Sequence, residues 1–246
     1  MIDLKGKRAL VTGGSRGIGA AIAQALAENG ADVAITYKNS AERADSVVTS
    51  IRKLGRLAIA VQADSADPQA IKRSVKEAVE ALGGLDVLVN SAAIGLAGPV
   101  AQVDLAAFQA MMDINVRGPF VAAQAAIPHL PKGGRIISIG SALAERVPFP
   151  GVTPYAMSKS ALLSFTRGLS RELGSQGITV NLVLPGSTNT EANPDDGEGA
   201  DFQRSLSSIG RYAQPREIAD AVVFLAGPGA NMITGSAVTV DGGANA

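Results

Sequence analysis

The sequence predicts an α/β fold, a single domain built on a doubly wound parallel sheet of about seven strands with helices on both faces. Three features predict it. Short apolar runs rich in β-branched residues recur along the chain, longer segments of helical period separate them, and most runs are nearly continuous in apolar character. Strands covered on both faces have that character. The first run, 8–12, leads through a glycine cluster into a helix at 17–29 that Gly30 closes. A run at 32–37 precedes a helix at 40–54, and a run at 57–62 precedes a helix at 67–82. Asp67-Pro68 opens that third helix with an N-cap residue and a proline at the first helical position. Runs at 86–90 and 135–140 flank a long helical segment at 103–127. A helix at 154–174 then leads to a run at 178–184. The last helix, 215–226, opens on Pro215 and leads to the final run, 237–240. Alternation of this kind implies right-handed crossovers. Segment 186–212 breaks the rhythm: it carries Gly186, Pro194, Gly197, Gly199 and Gly210 among acidic residues and is too long for an ordinary connection. It reads as a mobile lid.

Composition narrows the function classes. The chain has 246 residues, 46% hydrophobic and 18% charged, which is globular rather than disordered. Its 22 basic and 22 acidic residues balance, so nothing favours nucleic acid or an anionic membrane as partner. There is no cysteine, hence no disulfide, thiolate nucleophile or sulfur-ligated metal. The one histidine, His129, lies between Pro128 and Pro131 and reads as a surface or packing residue. Acids at Glu191, Asp195, Asp196, Glu198 and Asp201 read as a solvated lid rather than a metal site, so no metal is expected. Met1-Ile2-Asp3-Leu4-Lys5 has no signal-peptide core, and no apolar run reaches the roughly 20 residues a membrane span needs. A soluble, cytoplasmic protein is expected.

Thr12-Gly13-Gly14-Ser15-Arg16-Gly17-Ile18-Gly19 sits between the first strand and the first helix. Glycines there permit a tight turn and let backbone N–H groups approach a pyrophosphate, while the helix directs its positive end at the same place. A glycine cluster alone is weak evidence; a preceding strand and a following helix supply the context of a Rossmann-type dinucleotide site. The second strand ends in Tyr37-Lys38-Asn39, with no acid to hold a ribose 2′-hydroxyl. Arg16 and Lys38 instead offer two cations for a 2′-phosphate, which favours NADP(H).

Tyr155-Ala156-Met157-Ser158-Lys159 opens a predicted helix and sets residues 155 and 159 on one face. A phenol titrates near 10, and a neighbouring ammonium is expected to lower that value. Tyr155 would then give a proton to a carbonyl oxygen and take it back in reverse. Ser141 follows the fifth strand, at the sheet end where ligands bind, and offers a hydroxyl to developing negative charge. Ser138 alternates to the other face and reads as structural.

Together these residues resemble the short-chain dehydrogenase/reductase family over essentially the whole chain. Thr12 to Gly19 is similar to its Thr-Gly-x-x-x-Gly-x-Gly signature, and Tyr155/Lys159 to its catalytic pair. The resemblance implies a catalytic set of Asn115, Ser141, Tyr155 and Lys159, with Asn115 holding a water that relays protons through Lys159. It implies cofactor contacts at Asp64 and Ser65 for adenine, at Asn90, Ser91 and Ala92 after the fourth strand, and at Pro185, Gly186, Thr188 and Thr190 beside the nicotinamide. Lys159 and Tyr155 also face the nicotinamide ribose in that pattern. Val240-Asp241-Gly242-Gly243 resembles the family ending, part of a homotetramer interface. Two departures matter, the first for the approach of the cofactor, where Ala93 adds a methyl, and the second for the substrate. The family's Asn-Asn-Ala-Gly reads Asn90-Ser91-Ala92-Ala93, and Ser141 lies 14 positions before Tyr155, one more than in the bacterial 3-oxoacyl carrier-protein reductases the chain otherwise resembles.

The expected function is therefore NADP(H)-dependent reduction of a ketone or aldehyde, as in a carbonyl or 3-oxoacyl reductase. An acidic lid would disfavour strongly anionic substrates. The alternative is a regulatory protein on the same scaffold, since Tyr155 to Leu162 and Thr190-Glu191-Ala192-Asn193-Pro194 resemble cyclic-di-GMP-binding biofilm-dispersal proteins.

Overall fold

The computed structural model describes residues 2–246. Seven strands, β1 (Arg8–Thr12), β2 (Asp32–Tyr37), β3 (Ala58–Gln62), β4 (Val87–Asn90), β5 (Arg135–Ile139), β6 (Thr179–Pro185) and β7 (Ala237–Val240), form one parallel sheet. Their order is β3-β2-β1-β4-β5-β6-β7, so the winding reverses between β1 and β4. Open sheets bind ligands at that switch point, beyond the carboxyl ends of the strands.

Register explains the two-layered core. Leu10 pairs with Ala34 and Leu88, Leu88 with Ile136, and Ile136 with Val180, making one row across the sheet. This row packs against Ile71, Val75, Val121, Ala126 and Leu169. One position along, Val11, Ile35, Val89 and Ile137 make the opposite row, packed against Ile22, Leu26, Val48, Ile51 and Val222. A strand alternates its side chains, so each of these strands feeds both cores. Burying each such Leu or Ile contributes about 1.5–3 kcal/mol.

Helix ends follow local chemistry. Helix α1 (Gly17–Glu28) begins after Arg16, and α2 (Ala41–Lys53) follows β2. In α3 (Pro68–Leu82), the Asp67 side chain accepts from the Gln69 N–H, and Gly83 ends the helix at φ 75°. In α4 (Leu105–Met112), the Asp104 side chain accepts from the Ala107 N–H. Helices α5 (Gly118–Ala126), α6 (Thr153–Leu173) and α7 (Ala200–Leu206) come next. In α8 (Pro215–Ala226), Gln214 and Glu217 form a reciprocal cap.

Two expectations change here. The single helix expected over 103–127 is broken by a π-helical turn, Asp113–Arg117, between α4 and α5. Segment 186–212 is not a bare loop, because α7 lies inside it. Among the described residues no helix is long and apolar enough to cross a membrane.

Candidate active site

The turn from β1 into α1 is shaped by close backbone contacts. A Cβ on Gly13 (φ 66°) would lie 2.8 Å from the Ala92 Cα, and one on Gly19 would fall inside 3 Å of the Gly13 carbonyl oxygen. Glycine is therefore required at both. Hydroxyls fix the same turn: Thr36 accepts from the Gly13 N–H at 3.1 Å, and Thr12 accepts from the N–H groups of Ser91 and Ala92 at 3.0 and 3.2 Å. The ends of β1, β2 and β4 are thus joined beside the switch point. Arg16, exposed and extended at the N-cap position of α1, provides no side-chain cap. The first N–H groups of α1, at Gly17, Ile18 and Gly19, have no intrahelical carbonyl to pair with, as at any helix start, and suit a phosphate. Ser15 is half-buried beside them, and Thr190 stands opposite Gly17 across the cleft, 3.4 Å from where its Cβ would be.

The rim beyond β2 brings two of the expected contacts together. Tyr37 packs partly into the core, and Lys38 is not a free cation: its Nζ lies 2.7 Å from Asp64 Oδ2. Hydrogen bonding to Lys38 holds the Asp64 carboxyl below its ordinary range. The two residues assigned separate roles, one on the 2′-phosphate and one on adenine, therefore form one exposed pair. Ser65 and Asn90 line a small cavity with Thr12, Ala92 and Ile114, and the Asn90 Oδ1 is buried with no hydrogen-bond partner. Ser138, buried, accepts from Asn90 Nδ2 at 3.3 Å.

The second cluster sits beyond β5 and β6. Lys159, buried in α6, donates from Nζ to the Ile139 carbonyl at 2.9 Å, and the same nitrogen is 5.7 Å from the centre of the Tyr155 ring. Ser141 caps the short turn that follows β5, its Oγ accepting from the Leu143 N–H. Asn115 lies in the π-turn, where its amide brackets the Ile94 backbone with two 2.9 Å hydrogen bonds and donates to Ser158 Oγ at 3.0 Å. Ser158 in turn donates to the Tyr155 carbonyl at 2.7 Å. Asn115, Ser141, Tyr155 and Lys159 are thus gathered at one place. π-Turns are often found where a helix must turn a side chain into a site.

Electrostatics there correct one expectation. Burial pushes the Tyr155 phenol up to about 12, with hydrogen bonding to Ser141 as a smaller opposing influence. Burial also pulls the Lys159 ammonium down to about 8. The anticipated lowering of the phenol by the ammonium is overridden. Desolvation disfavours both charged forms, and the ammonium points at a carbonyl instead.

Residues 186–212 follow β6. Pro185 ends β6, Gly186 donates to the Val240 carbonyl, and Thr188 is buried with its hydroxyl on the Gly186 carbonyl. Thr190 and Asn193 exchange backbone hydrogen bonds, and Gln203 on α7 ties Asn193 to Ser187. Phe202 packs edge-on against Phe149 with ring centres 5.5 Å apart. Arg43 on α2 reaches Glu191 across the cleft at 2.9 Å.

A family model described as enoyl-(acyl carrier protein) reductase matches residues 13–245. A short-chain dehydrogenase from Burkholderia cenocepacia J2315, solved in complex with NADP, is 57% identical with a TM-score of 0.98, covering 99% of each chain. The chain belongs to the short-chain dehydrogenase/reductase family. Among other relatives, a cyclic-di-GMP-binding biofilm dispersal mediator protein of Escherichia coli K12 is 42% identical over 237 residues, 96% of each chain. A 3-oxoacyl-[acyl-carrier-protein] reductase of Staphylococcus aureus Mu50 is 39% identical over 242 residues, covering 96% of this chain and 97% of its own. This short-chain dehydrogenase/reductase is an oxidoreductase, and sequence reading missed several residues that shape its site. Ser158 went unassigned although it lies inside the Tyr-x-x-x-Lys motif, and Phe149, Phe202 and Gln203 give no signal without a fold that brings their segments together.

Proposed function

We propose that this protein is an NADP(H)-dependent reductase that converts a ketone or aldehyde to the alcohol, reversibly, in one domain. The observation that carries the reading is the convergence of Tyr155, Lys159 and Ser141 beyond β5, next to an uncapped α1 N-terminus at the sheet's switch point. The residues present fit a dinucleotide: the Gly13/Gly19 turn admits a close backbone approach, α1 directs N–H groups at a phosphate, and Arg16 stands at the rim. Gly13, Ser15, Arg16, Gly17, Ile18 and Gly19 would hold the pyrophosphate side. Tyr37, Lys38, Asp64 and Ser65 would border the adenosine, and Asn90, Ser91 and Ala92 would form the floor. Pro185, Gly186, Thr188 and Thr190 would flank the nicotinamide, with Tyr155 and Lys159 at its ribose. Lys38 would exchange Asp64 for the 2′-phosphate, a denser anion. When bound, the cofactor supplies the hydride.

The chain's own part is orientation and proton transfer. Ser141 donates to the carbonyl oxygen as negative charge grows there, and Tyr155 delivers the proton. A phenol near 12 stays protonated at neutral pH, the state required of the acid in reduction. Asn115 holds the 94 backbone and Ser158, and so fixes the start of α6. Segment 186–212 closes as a lid and excludes water. We place the protein in the cytoplasm as a homotetramer.

Tyr155→Phe tests the reading. Turnover with NADPH should fall about 100-fold or more, the range for loss of a general acid, while NADPH still binds. Undiminished turnover would remove Tyr155 from the chemistry, and a preference for NADH would overturn the cofactor assignment. A second reading is favoured by the Escherichia coli relative: cyclic-di-GMP binding on the same scaffold. Calorimetry with that dinucleotide, beside a screen of ketones for NADPH consumption, separates the two.

A further inference from the structure

Beyond β7 the chain turns back into the site. Asp241 makes this turn with its carboxylate, Oδ1 accepting from the Gly243 N–H and Oδ2 from the Asn245 N–H, both at 2.9 Å. Gly242 and Gly243 adopt φ of 64° and 80°, and a Cβ on either would fall inside 3 Å of the Ser207 or Ser208 hydroxyl. Close approach is thus built in. At one end the Gly242 carbonyl accepts from Ser207 Oγ at 3.0 Å and the Ile209 N–H at 3.1 Å, and the Gly243 carbonyl accepts from Ser208 Oγ at 3.1 Å. Residues 207–209 follow directly on α7. At the other end Asn245 Nδ2 donates to the Ala142 carbonyl at 2.9 Å, and Arg146 donates to the Ala244 carbonyl. Ala142 adjoins Ser141, and the same carbonyl closes the short turn by accepting from Glu145 and Arg146. On its third side, a Cβ on Gly186 would lie 2.7 Å from the Asp241 Cα.

We propose that residues 241–246 form a clasp coupling the exit of α7 to the Ser141 turn, with Asn245 the positioning residue at its catalytic end. The inference rests on the reading of Ser141 as a hydrogen-bond donor to the substrate. A six-residue segment with polar contacts to both parts links the seating of 207–209 to the serine. Asn245 acts through its hydrogen bond to the 142 carbonyl.

The test uses Asn245→Ala, which removes the donor, and Asn245→Asp, which keeps the shape and sets a carboxylate against the carbonyl. Losing one such hydrogen bond should lower kcat about fivefold, with NADPH affinity and melting temperature near wild type. The Ser141 hydrogen bond favours ionisation of the Tyr155 phenol, so displacing it should move the rise of alcohol oxidation to higher pH, as Ser141→Ala should also do. The double variant Asn245→Ala/Ser141→Ala should be no slower than Ser141→Ala alone. Unchanged kcat and pH profile in both single variants, or full additivity, overturns the clasp. Amide hydrogen exchange decides the coupling without turnover: in Asn245→Ala it should quicken at 142–146 and 207–209 together, and quickening at 142–146 alone overturns it. A wild-type enzyme that reduces no carbonyl would instead overturn the proposed function, and the exchange result would still stand.

Discussion

The two halves of the cleft are held by different forces. On the cofactor side, the turn around Gly13 and Gly19 is fixed by backbone against backbone, with Thr12 and Thr36 on main-chain N–H groups. On the other side, side chains do the holding: the Phe149–Phe202 edge joins 142–154 to 186–212, the Gln203 amide ties Ser187 to Asn193, and the hydroxyls of Ser207 and Ser208 reach the 242 and 243 carbonyls. Backbone contacts leave no residue free to change. Side-chain contacts can be rebuilt one substitution at a time while the sheet stays as it is, which is how loops on a rigid scaffold come to carry specificity.

Three substitutions would break or sharpen that contrast. Gly19→Ala should have the largest effect, because its methyl meets the Gly13 carbonyl, which cannot give way cheaply. Overpacking of about 3 kcal/mol would weaken NADPH about 100-fold in fluorescence titration. Wild-type affinity in a folded variant would show the cofactor side to be as plastic as the other. Lys38→Ala comes next, raising the KM for NADPH about tenfold through loss of one charge-assisted contact while leaving NADH unchanged. An equal loss for both cofactors would mean that Lys38 serves Asp64 rather than a phosphate. Phe202→Ala should be mildest: an aromatic edge contact of about 1 kcal/mol corresponds to about a fivefold change in ketone KM. NADPH affinity should not move. If it does, the two halves are not separable.

Legibility in the sequence follows the same division. Strands at 8–12 and 32–37 match the observed limits because buried parallel strands read as nearly continuous apolar runs with polar ends, and the half-buried edge strand 237–240 matches between Ser236 and Asp241. The glycine turn is legible because only one residue type tolerates its contacts. Side-chain pairings across the fold are not. Lys38 and Asp64 are 26 positions apart and lie at the ends of adjacent strands, so their ion pair needs the β2–β3 register before it can be read. Phenol and ammonium titration depend on burial, which the spacing of Tyr155 and Lys159 does not report. Helix α7 is only seven residues long and lacks a side-chain cap at its start, so periodicity passes over it among the glycines and acids.

The π-turn at Asp113–Arg117 has a consequence for the length of the chain as well as its composition. One added residue advances a helix by about 100° around its axis. Downstream of that turn, Val121, Ala122 and Ala126 face the sheet, while upstream Leu105 stands in solvent at 79% exposure. The π-turn absorbs one such residue, carrying five residues through roughly the rotation that four make in an α-helix, so deleting one would straighten the rod and leave that inward stripe on the sheet, but would move Asn115 off Ile94 and Ser158. The extra residue thus sets the aim of one amide rather than the seat of a helix.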